Sequence, residues 1–518
     1  EEPDQDTYDK MNAHPDVIVI GAGPAGLAAA LSAGRTGARV MLVDENLELG
    51  GQLLNEREEI DGAPALEWVA AAETELSAMP EVTILKHTMA TGLYDHNLVS
   101  LVENRSDIIS MDQDGKTRQR FWRVRAKRVI LATGAIERPL IYSDNDRPGS
   151  MLANALRAYV NRYGVAPGTR HVIFTNNDDA YRSALDLKAA GADVACVIDI
   201  RPDPSGELVT RAIEAGIEVI DHSAITGVIG RNAIRAIEIM RLNDDGDGVT
   251  GTARTIKCDI VGSSGGWNPV VHLHSHPGGR CTWREEDGVF LPGDTLQDNV
   301  SAGSANGSFD LQSALNEGDF AGTEATSTLG LTNKKRPTVP KATDAVDEDP
   351  WRVLWYIPTT KPVGERGKHF LDPQNDVSVP DVQLAAREGY RSVEHTKRYT
   401  TLGMATDQGK TGNIPAHAVL AAALGQSVPE TGTSTFRPPF SPTALGAYAG
   451  REVGEFYDPI RRTPMHEWHE KAGALWEDVG QWHRPWYYPK DDESMVEAVA
   501  RECLAVRHQV GMLDATTL

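Results

Sequence analysis

Apolar residues recur along this chain in distinct rhythms, and each rhythm predicts a different element. Val17 to Ile20, Val40 to Val43, HVIFT (171 to 175) and VACVIDI (194 to 200) are short runs rich in branched side chains, the mark of strands buried on both faces. Helical stretches separate them, Leu27 to Gly34 in one case and Tyr181 to Ala190 in the other, so the pattern reads as two βαβ units and an α/β fold. From 82 to 131 the segments VTILKHTMATGLY, NLVSLVEN and RFWRVRAKRVILATG alternate or run apolar between turn residues, which predicts an inserted β-meander. Residues 1 to 14 are polar and read as a tail.

The first βαβ unit carries candidate chemistry. Its strand runs into Gly21-Ala22-Gly23-Pro24-Ala25-Gly26, and its second strand ends on Asp44 and Glu45. In such a turn Gly21 permits the tight bend, Gly23 lets the backbone approach a pyrophosphate, and Gly26 lets helix and strand pack closely. The free N–H groups of the helix start face the negative charge. Asp44 follows at the distance where a carboxylate accepts from an adenosine ribose, and no Arg comes directly after it, which favours NAD or FAD over NADP. The uncharged run 17 to 34 is interrupted by Gly and Pro and is not read as a membrane span.

The second unit differs. Where its turn would carry glycines it has Asn176-Asn177-Asp178-Asp179, whose carboxylates oppose a pyrophosphate, so its phosphate site reads as lost, with retention of some nucleotide as the alternative. From about 260 the chain is expected to return to the first unit, ending in strand, glycine turn and helix around Gly303. Ser304 follows that glycine where two-domain flavoproteins present an acid to the flavin ribityl chain, which counts against FAD in this site.

Residues 331 to 350 are charged, Pro-containing and aperiodic, as a linker is. Ser378-Val379-Pro380-Asp381 predicts a capped helix start running to about Gly389, and HAVLAAALG a second helix. The end is aromatic, with Trp468, Trp476, Trp482, Trp486, Tyr487 and Tyr488 close together, a composition of core or interface rather than of a ligand cage. His272, His274 and His276 alternate, so on a strand they would share a face as metal ligands do. The net charge of −23 opposes nucleic acid and anionic membranes as partners. Four scattered cysteines suggest neither a disulfide framework nor an iron–sulfur cluster, and a reducing, cytoplasmic setting is expected. No Ser–His–Asp arrangement, P-loop or paired-Cys metal site is present, so no catalytic residue is assigned to this chain and redox chemistry would come from cofactors.

Longer phrases narrow the reading. ATGAIERPLIYSDNDRPGSMLANALRAYVNRYGVAPG (132 to 168), GGWNPVVHLHSH and above all QNDVSVPDVQLAAREGYRSVEHTKRYTTLGMATDQGK (374 to 410) resemble the alpha subunit of heterotetrameric sarcosine oxidase over nearly the whole chain. The resemblance implies two Rossmann-like nucleotide-binding domains of the thioredoxin-reductase/FAD-NAD(P) type with a β-meander insertion, followed by a smaller α+β/helical C-terminal region. Its expected divisions are a dinucleotide-binding domain at 15–165 plus 285–330, a second Rossmann-like domain at 166–284, a subunit-interface domain at 351–455, and at 456–518 the aromatic segment with the start of an aminomethyltransferase-like domain. The family's small N-terminal domain has no counterpart here, and VGMLDATTL resembles only the opening of the last domain, so folate-dependent chemistry is in doubt.

The resemblance also implies NAD in the first site, tightly held and not turning over, FMN at the interface with a beta subunit, and FAD within that beta subunit, with gamma and delta subunits as further partners. Carried over by position, Gly21, Gly23, Pro24, Ala25, Gly26, Asp44, Glu45, Gly51, Gln52, Thr133, Gly134 and Gly303 would hold the dinucleotide. A loop with Arg398, Thr400, Thr401, Thr406, Gln408 and Lys410 would meet the FMN; a solvated or subunit-facing loop is the competing reading. Glu394 and His395, adjacent on what reads as a strand, would face opposite ways and share no role. The three histidines would lie in a loop beside the nucleotide, and no metal is expected. The implied reaction is oxidative demethylation of sarcosine to glycine and formaldehyde, or methylene-tetrahydrofolate, with hydrogen peroxide. The equivalent subunit of N-methylglutamate dehydrogenase or another amine dehydrogenase, and a non-catalytic nucleotide-binding scaffold, are the alternatives.

Overall fold

The computed structural model describes residues 6–105, 117–332, 338–343, 346, 348–365 and 367–516. The first sheet is parallel throughout, in the order Asn299–Ser301, Arg128–Leu131, Val17–Ile20, Val40–Val43, Val82–Leu85. Helix Pro24–Gly34 is built of small residues because helix Leu311–Ser327 lies against it at backbone contact. A Cβ on Gly318 or Gly322 would stand 2.1 or 2.2 Å from the carbonyl oxygens of Ala25 and Ala29, so neither position admits a side chain. This contact draws residues 299–327 back onto a unit begun almost 300 residues earlier.

Strands Thr88–Tyr94, Leu98–Asn104 and Gln119–Arg125 form the antiparallel meander, and Leu93, Val99, Leu101 and Val124 pack on Ile18, Ile20, Met41 and Val43 of the first sheet. Residues 8–13 are not a tail. Tyr8–Ala13 is a fourth strand, parallel to Gln119–Arg125, with Asp9 paired in register with Arg120 and bonded to it through both carboxylate oxygens at 2.8 and 2.9 Å. Its polar composition is that of a sheet edge, where charged pairs are tolerated.

The second parallel sheet has the order Ser150–Leu152, Ile260–Ser264, Arg170–Thr175, Asp193–Asp199, Glu218–Ile220. The boundaries at 165 and 284 therefore move. Residues 150–161 enter the second unit because Ser150–Leu152 pairs with Ile260–Ser264, which is itself a sheet strand and not a segment of the return. Both crossings lie together where Ala135–Glu137 pairs antiparallel with Trp267–Pro269. An antiparallel sheet of Ser223–Ile229, Ala236–Leu242 and Val249–Lys257 completes this unit.

The turn Asn176 to Asp179 is filled from within the chain. Arg201 Nη2 donates to Asp178 at 2.6 Å and to Asp199 at 2.7 Å, all three side chains being buried, and Asn176 Nδ2 donates to the Arg352 carbonyl. The Asp178 carboxylate also accepts from the Asp349 N–H. Residues 338–343 and 348–352 thus act as a strap rather than a free linker: Ala342 bridges Ile60, and Asp349 accepts from the N–H groups of Ser205 and Gly206.

Beyond the strap, the hairpin Phe370–Asp372 and Val377–Ser378 and the helices Val379–Arg387, Val393–Thr400 and Asn413–Leu424 enclose Leu371, Val382, Leu402, Val419 and Leu420. The predicted capping box is present, with Asp381 accepting from the Ser378 N–H at 2.9 Å. Residues 393–400 are a helix and not the expected strand and loop. A last layer has strands Leu475–Val479 and Trp482–Tyr487 and helix Met495–His508; Trp476 is stacked on His466 and His483, whereas Trp468 and Trp486 are about half exposed. The four cysteines are unpaired, and among the described residues no helix is long and apolar enough to cross a membrane.

Two outcomes follow from this packing. Gly322→Val should cost about 2 kcal/mol in chemical denaturation, since the added atoms must push apart a pair of helices at backbone contact. Arg201→Ala should cost about 3 to 5 kcal/mol, because Asp178 and Asp199 would be left buried without a counter-charge.

Candidate dinucleotide site

The glycine turn opens into a cavity of about 780 Å3 bounded by the first unit, the second unit, the strap and the third unit. Gly21, with φ at +100°, accepts no Cβ because one would lie 2.1 Å from the Ala132 carbonyl; at Gly26 one would meet the Gly21 carbonyl at 1.8 Å. These two glycines hold strand, turn and helix together. Gly51 is packed so that a Cβ would stand 2.8 Å from the Gly23 Cα, which fixes the second loop of the cradle. The helix starting at Pro24 has no side-chain cap, so its first N–H groups are left for a ligand anion.

Gly21, Gly23, Pro24, Ala25, Asp44, Glu45, Gly51, Gln52, Thr133 and Gly134 are brought together on the cavity wall. Gly26 and Gly303 act behind it, as packing positions: a Cβ at Gly303 would lie 2.8 Å from that of Ala25. Asp44 is largely occupied, accepting from Ala22 N at 2.6 Å and from Asn46 N at 2.8 Å. It shapes the turn, and its neighbour Glu45 is the carboxylate open to the cavity. Burial, then Asp44, raises the Glu45 pKa above its ordinary value, against the opposing pull of Lys410. Ser304 lines the cavity.

The six residues grouped by the 397–410 segment separate in space. Arg398 is exposed on its helix, 3.7 Å from Glu394, and Thr401 and Thr406 are exposed. Thr400 Oγ1 donates to the Thr396 carbonyl, and Gln408 Nε2 to the Pro439 carbonyl at 2.7 Å. Lys410 turns inward. Its Nζ donates to the carbonyls of Asp407 and Phe440, lies 4.2 Å from the Phe440 ring centroid, and lines the dinucleotide cavity. Burial lowers its pKa, opposed by Asp407 and Glu45. Glu394 accepts from the Thr435 N–H, and His395 is exposed.

The three histidines lie on the helical turn His272–Ser275 and the residue after it, so His272 and His276 share a face with their rings 5.6 Å apart and His274 lies off it. His272 stacks on Phe440 at 4.2 Å, and His274 Nε2 contacts the Arg280 carbonyl oxygen at 3.0 Å. Burial holds the His276 imidazole down at about 4, and His272 is likewise held neutral by burial.

Sequence reasoning missed the far end of the cavity. Glu56 and Glu58 from the first unit, Asp179, Arg182 and Trp267 from the second, Phe309, and Glu348 and Trp351 from the strap meet there. Burial, with Asp179 and Glu58 added and Arg157 opposing, pushes the Glu56 carboxyl up to about 8; burial and Asp179 push Glu348 to about 7. No local motif marks these residues, since five separate segments supply them.

Comparison with known proteins agrees with this architecture. Residues 15–173 match the pyridine nucleotide-disulphide oxidoreductase family, residues 366–451 the sarcosine oxidase A3 domain, and residues 465–518 the GCVT N-terminal domain. The chain is similar to L-proline dehydrogenase from P. horikoshii in fold, with TM-score 0.60 and 19% identity over 86% of this chain and 80% of that one. It is 44% identical to sarcosine oxidase subunit alpha of Corynebacterium sp. (strain P-1), over 99% of this chain and 53% of that protein. Against the same subunit of Rhizobium meliloti (strain 1021) it is 41% identical, over 100% and 51%. The chain thus spans about half the length of these relatives. A nucleotide cavity in a two-sheet Rossmann frame, an A3-type third unit and this degree of identity together establish that the chain belongs to the sarcosine oxidase alpha-subunit family.

Proposed function

We propose that this chain is the nucleotide-holding portion of an alpha-type subunit in a flavin-dependent amine oxidoreductase, that its cavity holds NAD, and that the complex demethylates sarcosine oxidatively. The observation that carries the NAD reading is the contrast between the two turns. The first has a glycine cradle that side chains would fill, an uncapped helix start and an open carboxylate; the second is plugged by Arg201 and Asp178. A reductase that passes hydride from NAD(P)H to its own FAD needs two open sites. Ser304 in place of an acid further disfavours FAD. When bound, the nucleotide supplies or withholds hydride chemistry, whereas the chain's own residues bind the pyrophosphate, orient the ribose through Glu45 and close the cavity with Lys410.

The flavins belong, in this reading, to the partner side: FAD within a beta-type subunit, and FMN where that subunit meets the 366–451 unit. Exposed Arg398, Thr401 and Thr406 are available to such a phosphate, whereas Lys410 serves the dinucleotide. A closely related complex acting on another N-methyl amine is equally compatible with the site, because no substrate-binding residue has been placed in this chain.

Denaturing the purified chain should release NAD+ in near-stoichiometric amount with no absorbance near 450 nm; stoichiometric FAD would overturn the cofactor assignment. In a complex reconstituted with its beta-type partner, Lys410→Ala should lose NAD+ while FMN content holds. Loss of FMN with NAD+ retained would assign Lys410 to the flavin instead.

A further inference from the structure

The cavity does not end at the pyrophosphate cradle. Asp44 and Glu45 mark its adenosine side, so the nicotinamide half of a dinucleotide extends past Gly51 and Gln52 toward the second unit and the strap. That end has an unusual lining. Three aromatic rings, Trp267, Phe309 and Trp351, meet there, with Phe309 and Trp351 5.1 Å apart between centroids and Trp351 seated against Gly266. Trp267 is fixed by a hydrogen bond from Nε1 to Asp179 at 3.1 Å.

Carboxylates outnumber cations around these rings. Glu56, Glu58, Asp179 and Glu348 line the cavity beside a single guanidinium, that of Arg182, whose Nη1 donates to Glu58 at 2.8 Å. Behind them Arg157 is bonded to Asp186 at 2.7 Å and reaches Glu56 at 3.3 Å. Counting this second layer, five carboxylates face two guanidiniums. Burial is the main cause of the raised Glu56 and Glu348 pKa values and Asp179 adds to it, while Arg157 at 3.3 Å from Glu56 and Arg182 at 3.6 Å from Glu348 oppose it only in part.

Aromatic faces combined with excess carboxylate are the chemistry that holds a delocalised organic cation. Resting on the NAD reading above, we infer that this end of the cavity is built for the positively charged pyridinium ring of NAD+ and discriminates against the neutral dihydropyridine ring of NADH. Trp267, Phe309 and Trp351 supply the ring contacts, and Glu56 and Glu348 supply charge that becomes favourable only when the cation is present. A site of this kind stabilises the oxidised nucleotide and thereby resists its reduction. Retention of one redox form follows from the wall of the cavity, with no block on hydride access required.

The test is equilibrium binding of NAD+, NADH and ADP-ribose to the nucleotide-stripped chain and to the isosteric variants Glu348→Gln and Glu56→Gln. NAD+ should bind about tenfold or more tightly than NADH, the scale of one desolvated cation–aromatic contact with added charge. Each variant should weaken NAD+ several-fold while leaving NADH and ADP-ribose unchanged. Equal affinities for NAD+ and NADH in the unmodified chain would overturn the inference, as would variants that weaken all three ligands alike. A chain that releases FAD and binds none of the three would overturn the NAD reading itself, and the inference with it.

Discussion

Backbone contact between helices Pro24–Gly34 and Leu311–Ser327 is the constraint on which the rest of the molecule depends. Helices normally pack with axes about 8 to 10 Å apart because side chains intervene. Here Gly318 and Gly322 rest directly on the carbonyls of Ala25 and Ala29, and Gly26 on that of Gly21. The nucleotide turn is therefore gripped from both sides: by its own strand, and by a helix almost 300 residues later in the chain. The intervening segment has to leave and re-enter the first unit, and it does so through the paired strands Ala135–Glu137 and Trp267–Pro269. The second unit hangs on that pair, which places Asp179, Arg182 and Trp267 over the first unit's cavity.

The two Rossmann units show how one scaffold is kept open and its relative closed. In the first, small residues leave room at the end of the strand. In the second, Arg201 bridges Asp178 and Asp199, and the strap covers the turn through Asp349 and Arg352. A buried guanidinium between two carboxylates is costly to desolvate, and it is tolerated because all three side chains are hydrogen-bonded. The acids that would repel a phosphate in this turn have become structural. Asp179, the last of the four turn residues, faces the first unit's cavity instead.

Local sequence rules recover the elements whose signals are local. The glycine turn, the capping box at Ser378 and Asp381, and the buried strands Val17–Ile20 and Val40–Val43 each depend on neighbours within a few residues, and each stands where its pattern puts it. What escapes reading depends on distant partners. Tyr8–Ala13 has the composition of a tail because its pairing partners, Arg120 among them, lie on a strand more than 100 residues later in the chain. Residues 393–400 read as extended beside the loop that follows them, and the structure folds them as a helix around buried Val393 and Thr396. The domain boundaries shift because Ser150–Leu152 is too short to declare its sheet. The aromatic and acidic end of the cavity has no motif at all, being assembled from five segments. The resemblance to alpha subunits is legible because long phrases such as 374 to 410 carry more information than any single glycine.

Lys410 and the Phe440–His272 stack have a thermodynamic consequence. They make the third unit a wall of the same cavity that the first unit opens, so a ligand bound there would touch all the units that line it. Binding to such a native-only site adds RT ln(1 + [L]/Kd) to stability. Here that increment falls on the junctions between units and not on any one core. A ligand held there would act as a mechanical fastener, its occupancy setting how firmly the A3-type unit is held to the other two.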